Sequence, residues 1–234
     1  MNFEEHLAAL AVCRLCPNVL GSPVVGAVAD ARVLLVGQAP GPREMEQHRP
    51  FAFTAGRRLF SWFERLGVGE DEFRKHVYMA AVIRCFPGRD PKAGGDRVPA
   101  PDEIANCGAH LDREIALLAP RLVIAVGTLA AQALGVTPSV SEGPGGAGAA
   151  TPAATARRPP DQAPRSARGD IKLKDVVGRI HRVARAGKRF DVVVLPHPSG
   201  RSTWTNKPEN AKLLERSLAL IGAHAAWRKT FGAR

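Results

Sequence analysis

Apolar residues along this 234-residue chain fall into two kinds of pattern. Four short runs rich in β-branched residues and leucine cover residues 32–37, 77–85, 121–127 and 190–195. Each is closed by glycine, cysteine or proline, and each predicts a buried strand. Between and around them, residues 2–11, 54–66, 102–118, 128–134 and 208–229 carry apolar positions at three- and four-residue spacing and predict helices. In the second of these Leu59, Phe60, Phe63 and Leu66 share one face, and the third opens on Pro101-Asp102-Glu103, a helix-starting sequence. The alternation predicts an α/β fold: a central, mostly parallel four-stranded sheet with helices on both faces.

Residues 137–169 break both patterns. "TPSVSEGPGGAGAATPAATARRPPDQAPRSARG" is rich in Pro, Gly, Ala and Arg and has no apolar period. It reads as a flexible low-complexity insertion within a single domain spanning 1–234, because the strand after it is needed to complete the sheet. From 157 to 189 basic residues far outnumber acidic ones, which suits either a solvated loop or a phosphate-contacting one.

Charge narrows the partners. The formal net charge is +11, with only 24% of residues charged. Such an excess of Lys and Arg suits a polyanion such as nucleic acid, whose condensed counterions it displaces. No apolar run approaches the roughly 20 residues that cross a bilayer. The start, Met1-Asn2-Phe3-Glu4-Glu5, lacks the basic and apolar regions of a secretory signal. A cytoplasmic protein without a membrane partner is expected.

In that compartment structural disulfides are disfavoured, so the four cysteines need another role. Cys13-Arg14-Leu15-Cys16 is a CxxC, Cys85 precedes Phe86-Pro87-Gly88, and Cys107 lies inside the third predicted helix. Four thiolates suit tetrahedral zinc and a four-iron, four-sulfur cluster equally by count.

Ligands of open α/β sheets bind beyond the carboxyl ends of the strands. Those ends deliver Gly37-Gln38-Ala39-Pro40-Gly41, Arg84-Cys85, Gly127-Thr128, and Pro196-His197-Pro198-Ser199-Gly200-Arg201-Ser202-Thr203-Trp204-Thr205. The first turn lacks the third glycine of a dinucleotide fingerprint and the Gly-Lys-Ser/Thr of a phosphate loop. What gathers there is a set of backbone N–H donors, one proline-flanked imidazole, the acids Glu44 and Glu46, and the aromatics Phe51 and Phe53. An aromatic ring at the pocket mouth offers a stacking face to a planar ligand.

These segments together resemble the uracil-DNA glycosylase superfamily, in particular its iron–sulfur branches, families four and five. The resemblance rests on the N-terminal CxxC, "VLLVGQAPGPREMEQHRPFAFTAGRRL", "MAAVIRCFPGRDPKAGGDRVPAPDEIANC" and "VLPHPSGRSTWT", in that order across residues 5–220. It implies a monomeric, monofunctional uracil-DNA glycosylase of base excision repair, acting on single- or double-stranded DNA containing uracil. It also implies that Cys13, Cys16, Cys85 and Cys107 hold a structural 4Fe-4S cluster. Phe51 matches the residue on which extruded uracil stacks, and His197 the histidine facing uracil O2. The loop holding Ser199, Arg201, Ser202, Thr203 and Trp204 matches the one that enters the duplex.

The chemistry agrees with the residues. Uracil leaves as an anion when the C1′–N1 bond breaks, so N–H donors at O2 stabilise developing charge. A neutral His197 donating one N–H is expected, because an imidazolium would bring a charge into an apolar pocket. Glu44 is the nearest acid in sequence to activate water, and Gln38 can position that water. Three departures stand out. Gln38 replaces the Glu of family four, in a turn where Ala39 stands for the Asp of family one; Ala81 replaces the family-four Asn that reads uracil's Watson–Crick edge; and Ser202-Thr203-Trp204-Thr205 resembles a family-five loop in which Asn precedes T-x-T, with that amide lost. The missing Glu at 38 and Asn at 81 motivate one alternative, a catalytically weak binder of uracil or abasic DNA; the cysteines and the basic loop allow another, an iron–sulfur, nucleic-acid-binding redox sensor.

Overall fold

In the computed structural model, residues 1–26, 28–92, 94–137, 171–200 and 202–232 are described. Arg201 and nearly all of the predicted insertion lie outside them. The strands are β1 (Val33–Gly37), β2 (Val77–Ala81), β3 (Arg89–Asp90), β4 (Gly95–Asp96), β5 (Leu122–Val126), β6 (Ile180–Arg185) and β7 (Lys188–Leu195). The helices are α1 (Phe3–Ala11), α2 (Pro42–Gln47), α3 (Thr54–Glu64), α4 (Glu70–His76), α5 (Pro101–Leu118), α6 (Thr128–Leu134), α7 (Leu173–Val176), α8 (Pro208–Ala223) and α9 (Ala225–Phe231).

The main sheet runs in the order β2-β1-β5-β7-β6, with the first four strands parallel and β6 antiparallel at the edge. It has five strands rather than the four expected from apolar runs. The added strand, Ile180–Arg185, alternates instead of forming a run: His181 and Val183 are buried while Arg182 and Ala184 face outward. It joins β7 through Ala186-Gly187, both at positive φ (51° and 72°), the geometry a two-residue hairpin turn requires. The edge position explains its polarity, since one face of the strand stays in water.

β1, by contrast, is buried on both faces. Leu34 and Val36 join one apolar cluster with Leu111 and Ile115 of α5 and Ala130 and Leu134 of α6. Val33 and Leu35 join a second with Leu59, Phe60 and Phe63 of α3, Phe73 of α4, and Leu214, Leu218 and Trp227 of α8 and α9. This two-sided packing is why the parallel strands read as unbroken apolar runs. The last predicted helix is broken at His224, which is extended (φ −68°, ψ 134°). Its Nδ1 accepts the Ala226 N–H at 3.1 Å and caps α9.

β2 ends at Ala81, not at residue 85, because its continuation leaves the ladder to follow the turn after β1. Val82 N–H donates to Gly37 O (2.9 Å) and Ile83 N–H to Gln38 O (3.2 Å). The chain then pairs with the N-terminal segment, through Val24 N–H to Arg84 O and Leu20 N–H to Phe86 O, both 2.8 Å.

Candidate active site

The carboxyl ends of β1 and β2 and the segment after β7 open onto one cleft of about 750 Å³. Gln38, Ala39, Glu44, Phe51, Ala81, His197 and Ser199, all expected from sequence, line it together. Of the remaining loop residues, Trp204 is half-buried against the α5-side core and its carbonyl accepts Asn210 Nδ2 at 2.9 Å. Ser202 and Thr203 lie in the same loop beyond the cleft wall.

Phe51 occupies an unusual backbone position, φ +51°, which a bulky residue adopts only where its surroundings compel it. Three contacts do so. Arg74 of α4 donates from Nη1 to Pro50 O (2.9 Å) and from Nη2 to Phe51 O (3.1 Å), while its Nε engages Glu70 (2.8 Å). Its guanidinium lies over the Phe60 ring, 4.7 Å from the centroid. Gly56 of α3 packs so tightly that a Cβ there would stand 1.8 Å from Phe51 O. At the far end of the side chain, Phe51 Cζ lies 3.0 Å from where a Cβ on Gly37 would be. The glycine closing β1 is therefore the gap into which the aromatic ring fits.

His197 follows β7 between two buried prolines, Pro196 and Pro198. The Ser199 N–H donates to its Nδ1 at 3.3 Å. With Nδ1 an acceptor, the proton of the neutral ring sits on Nε2. Burial pulls the imidazole pKa below its ordinary value, and the Asp96 charge opposes part of that effect. The ring is thus a neutral donor. Gly127, at φ +88°, passes beside it with room to spare.

Glu44 sits in the first turn of α2, where its Oε2 accepts the Gly41 N–H at 3.2 Å. One of its oxygens is thereby engaged in closing its own helix. A second carboxylate, missed in the sequence, approaches the same turn: Asp96 lines the cleft, and its Oδ2 lies 3.4 Å from the position of a Cβ on Gly41. Asp96 stands on the short β3–β4 hairpin, opposite Arg89. Two-residue strands carry no periodicity, so only the Gly94 turn (φ +63°) hinted at it. Arg97 anchors the hairpin through both carboxylate oxygens of Glu103 (2.8 and 2.5 Å) and Asn18 O (2.9 Å). On the other wall Arg58 of α3 holds the histidine loop, donating to Ser199 O (3.3 Å) and Thr205 Oγ1 (2.8 Å).

The four cysteines gather away from this cleft. The pairing of residues 20–24 with 84–86 brings the CxxC segment to Cys85, and Asn106 of α5 donates from Nδ2 toward Leu15 O (3.5 Å) and Cys16 Sγ (3.6 Å). Burial, then the neighbouring thiols of Cys107, Cys13 and Cys16, push the Cys85 thiol up to about 11. Burial likewise raises Cys107. Among the described residues no three of His, Cys, Asp and Glu close to the spacing of a single metal ion. Beside the thiols, Arg84 is fully buried and bonded to Glu114, yet its Nε and Nη1 have no hydrogen-bond partner. Burial pushes Glu114 up, but Arg84, with the Tyr78 hydroxyl donating at 2.7 Å and His6 close by at 3.7 Å, outweighs it and holds the carboxyl below the usual range.

Fold and cleft together define an α/β domain that presents an aromatic platform and a neutral imidazole donor at the carboxyl ends of a parallel sheet. The family model described as the uracil DNA glycosylase superfamily matches residues 23–220, and the chain belongs to that superfamily. It is 37% identical over 102 residues to the type-4 uracil-DNA glycosylase of Pyrobaculum aerophilum, covering 44% of this chain and 47% of that one. It is 33% identical over 121 residues to that of Thermotoga maritima (50% and 58%). To that of Sulfurisphaera tokodaii it is 34% identical over 98 residues (42% and 40%). The chain thus spans about half the length of these relatives. Among the described residues no helix is long and apolar enough to cross a membrane.

Proposed function

We propose that the protein is a monofunctional uracil-DNA glycosylase, removing uracil from single- or double-stranded DNA as the first step of base excision repair. The observation that carries this reading is His197, a neutral imidazole whose Nδ1 is already occupied by an N–H, so that Nε2–H is free to donate. It shares its cleft with the Phe51 ring. An extruded uracil stacks on that ring with O2 toward Nε2. As the C1′–N1 bond breaks, its electron pair passes to the base, and the imidazole N–H stabilises the resulting anion at O2.

Water then bonds to C1′ and loses a proton. Gln38 can orient that water but cannot accept the proton. Glu44 is partly engaged by Gly41, so Asp96 is the carboxylate we assign to receive it. The side-chain amide of Gln38 and main-chain groups near Ala39 and Ala81 read the base edge, in place of the Asn absent at 81. Ser199, Arg201, Ser202, Thr203 and Trp204 form the loop that faces DNA.

Cys13, Cys16, Cys85 and Cys107 would hold a 4Fe-4S cluster. Their convergence supports this, seen in the neighbouring thiols that add to burial in raising Cys85, as do the unpartnered buried donors of Arg84, which suit an anionic group beside them. When bound, such a cluster cross-links the segment after α1, the segment after β2, and α5.

The test is a glycosylase assay on oligonucleotides carrying U, T, hypoxanthine or xanthine, in single- and double-stranded form. Free uracil and an alkali-labile abasic site are expected. Tight, stoichiometric binding of uracil DNA without turnover would instead identify a lesion-sheltering protein, and intact DNA without binding would end the reading.

A further inference from the structure

Phe53 is the aromatic residue at the cleft that uracil removal leaves without a role. It follows Phe51 by two residues, at the entry to α3, yet the two rings meet opposite fates. Phe51 fits against Gly37, whereas Phe53 is 45% exposed at the cleft mouth. A single exposed phenyl ring needs no explanation by itself. This one has two guanidiniums close to it, on the exposed side chains of Arg43 and Arg57, whose Cζ atoms lie 5.8 and 5.7 Å from its centroid. Arg43 also meets Glu46 at 2.9 Å, an exposed pair whose cation can exchange to a phosphate.

The two guanidiniums come from different helices, Arg43 from α2 and Arg57 from α3, so cations from two separate segments meet at this ring. An exposed aromatic ring beside cations is the combination that holds single-stranded nucleic acid: the base stacks on the ring while guanidiniums meet the flanking phosphates. Extruding a nucleotide leaves the next base along the strand with one unstacked face.

We propose that Phe53, with Arg43 and Arg57, is a second stacking site, taking the base adjacent to the extruded nucleotide and the phosphates on either side of it. The proposal rests on the DNA-glycosylase reading but concerns grip on the strand, not bond cleavage. It makes Phe53 a contributor to affinity for nucleic acid in an unpaired or locally melted state.

A double-mutant cycle on the full chain tests it. The probe is a single-stranded oligonucleotide with a tetrahydrofuran abasic site, whose neighbouring nucleotides either carry bases or are abasic on one side. The wild-type protein should lose about tenfold or more in affinity when the adjacent base is removed on the side that Phe53 contacts. Phe53→Ala and Phe53→Leu should lose a similar factor on the intact strand and become insensitive to that base. Phe53→Trp should retain both affinity and sensitivity. Phe53→Leu keeps an apolar side chain at the position, so loss of folding does not imitate the result. Wild-type affinity in Phe53→Leu, or an undiminished penalty for base removal in that variant, overturns the proposal. Neither outcome touches uracil release by the wild-type protein, on which the functional reading stands separately.

Discussion

Nη2 of Arg74 lies 3.1 Å from the carbonyl oxygen of Phe51, and this contact helps hold an aromatic side chain on a left-handed backbone. The strained residue lies in the turn between α2 and α3, and the cation that restrains it stands on α4. Replacing Arg74 by Met removes charged hydrogen bonds to two carbonyls and should destabilise the protein by about 2–3 kcal/mol. Uracil release should slow by roughly tenfold or more, since small misplacement of a positioning group is costly. Arg74→Lys should recover stability more than rate. Urea unfolding and single-turnover kinetics separate the two effects.

Two glycines bear on the same ring in different ways. Gly37→Ala would press a methyl against the far edge of Phe51 and should reduce activity with a modest loss of stability. Gly56→Ala would set a methyl against the Phe51 carbonyl, where no side chain can yield, so several kcal/mol of stability should be lost. Thermal melts of the pair check the contrast.

For His197 the sign of the pH dependence follows from its depressed pKa. The unfolded histidine titrates near about 6.5, while the buried ring titrates lower. The native state therefore resists protonation, and its stability falls as pH drops below the unfolded value. Activity through this group should stay flat below pH 6.5 and decline only as the ring itself protonates. His197→Ala should lose on the order of a hundredfold in rate, as expected for removing an oxyanion donor. Single-turnover rates across pH, for both proteins, measure this.

Asp96→Asn should slow bond cleavage by about a hundredfold while leaving affinity for an abasic-site analogue within roughly twofold, because the amide keeps its shape but accepts no proton. Glu44→Gln should affect α2 more than chemistry. Rates equal to wild type in Asp96→Asn would return the assignment to Glu44.

Removal of any one cysteine should strip iron and sulfide together and lower the melting temperature, with loss of visible absorption as the readout. Arg84→Met leaves Glu114 buried without its cation and should cost about 3–5 kcal/mol even where iron is retained.

The main parallel strands, the helices α1, α3, α5, α6 and α8, and the candidate roles of His197, Phe51 and the four cysteines were legible because each is announced locally, whereas the short helices α2, α4 and α7 were not. A two-sided buried strand is an apolar run, a strand end is a glycine or proline, and a CxxC is adjacent in sequence. β6 escaped because an edge strand with a wet face alternates and, in this chain, merges with a basic stretch. Asp96 escaped because a hairpin of two-residue strands has no period to detect.

What the sequence determined by itself is therefore the order of the parallel strands along the chain and the residue types available at their ends. Only tertiary structure decided which of those residues meet. The Arg74 hold on Phe51 spans 23 residues, the Arg58 hold on Thr205 spans 147, and Arg84 meets Glu114 across 30. Periodicity is a property of neighbouring residues and carries no record of such partners. The roles proposed for Phe53 and Asp96 depend on a cleft that exists only when distant segments pack around it.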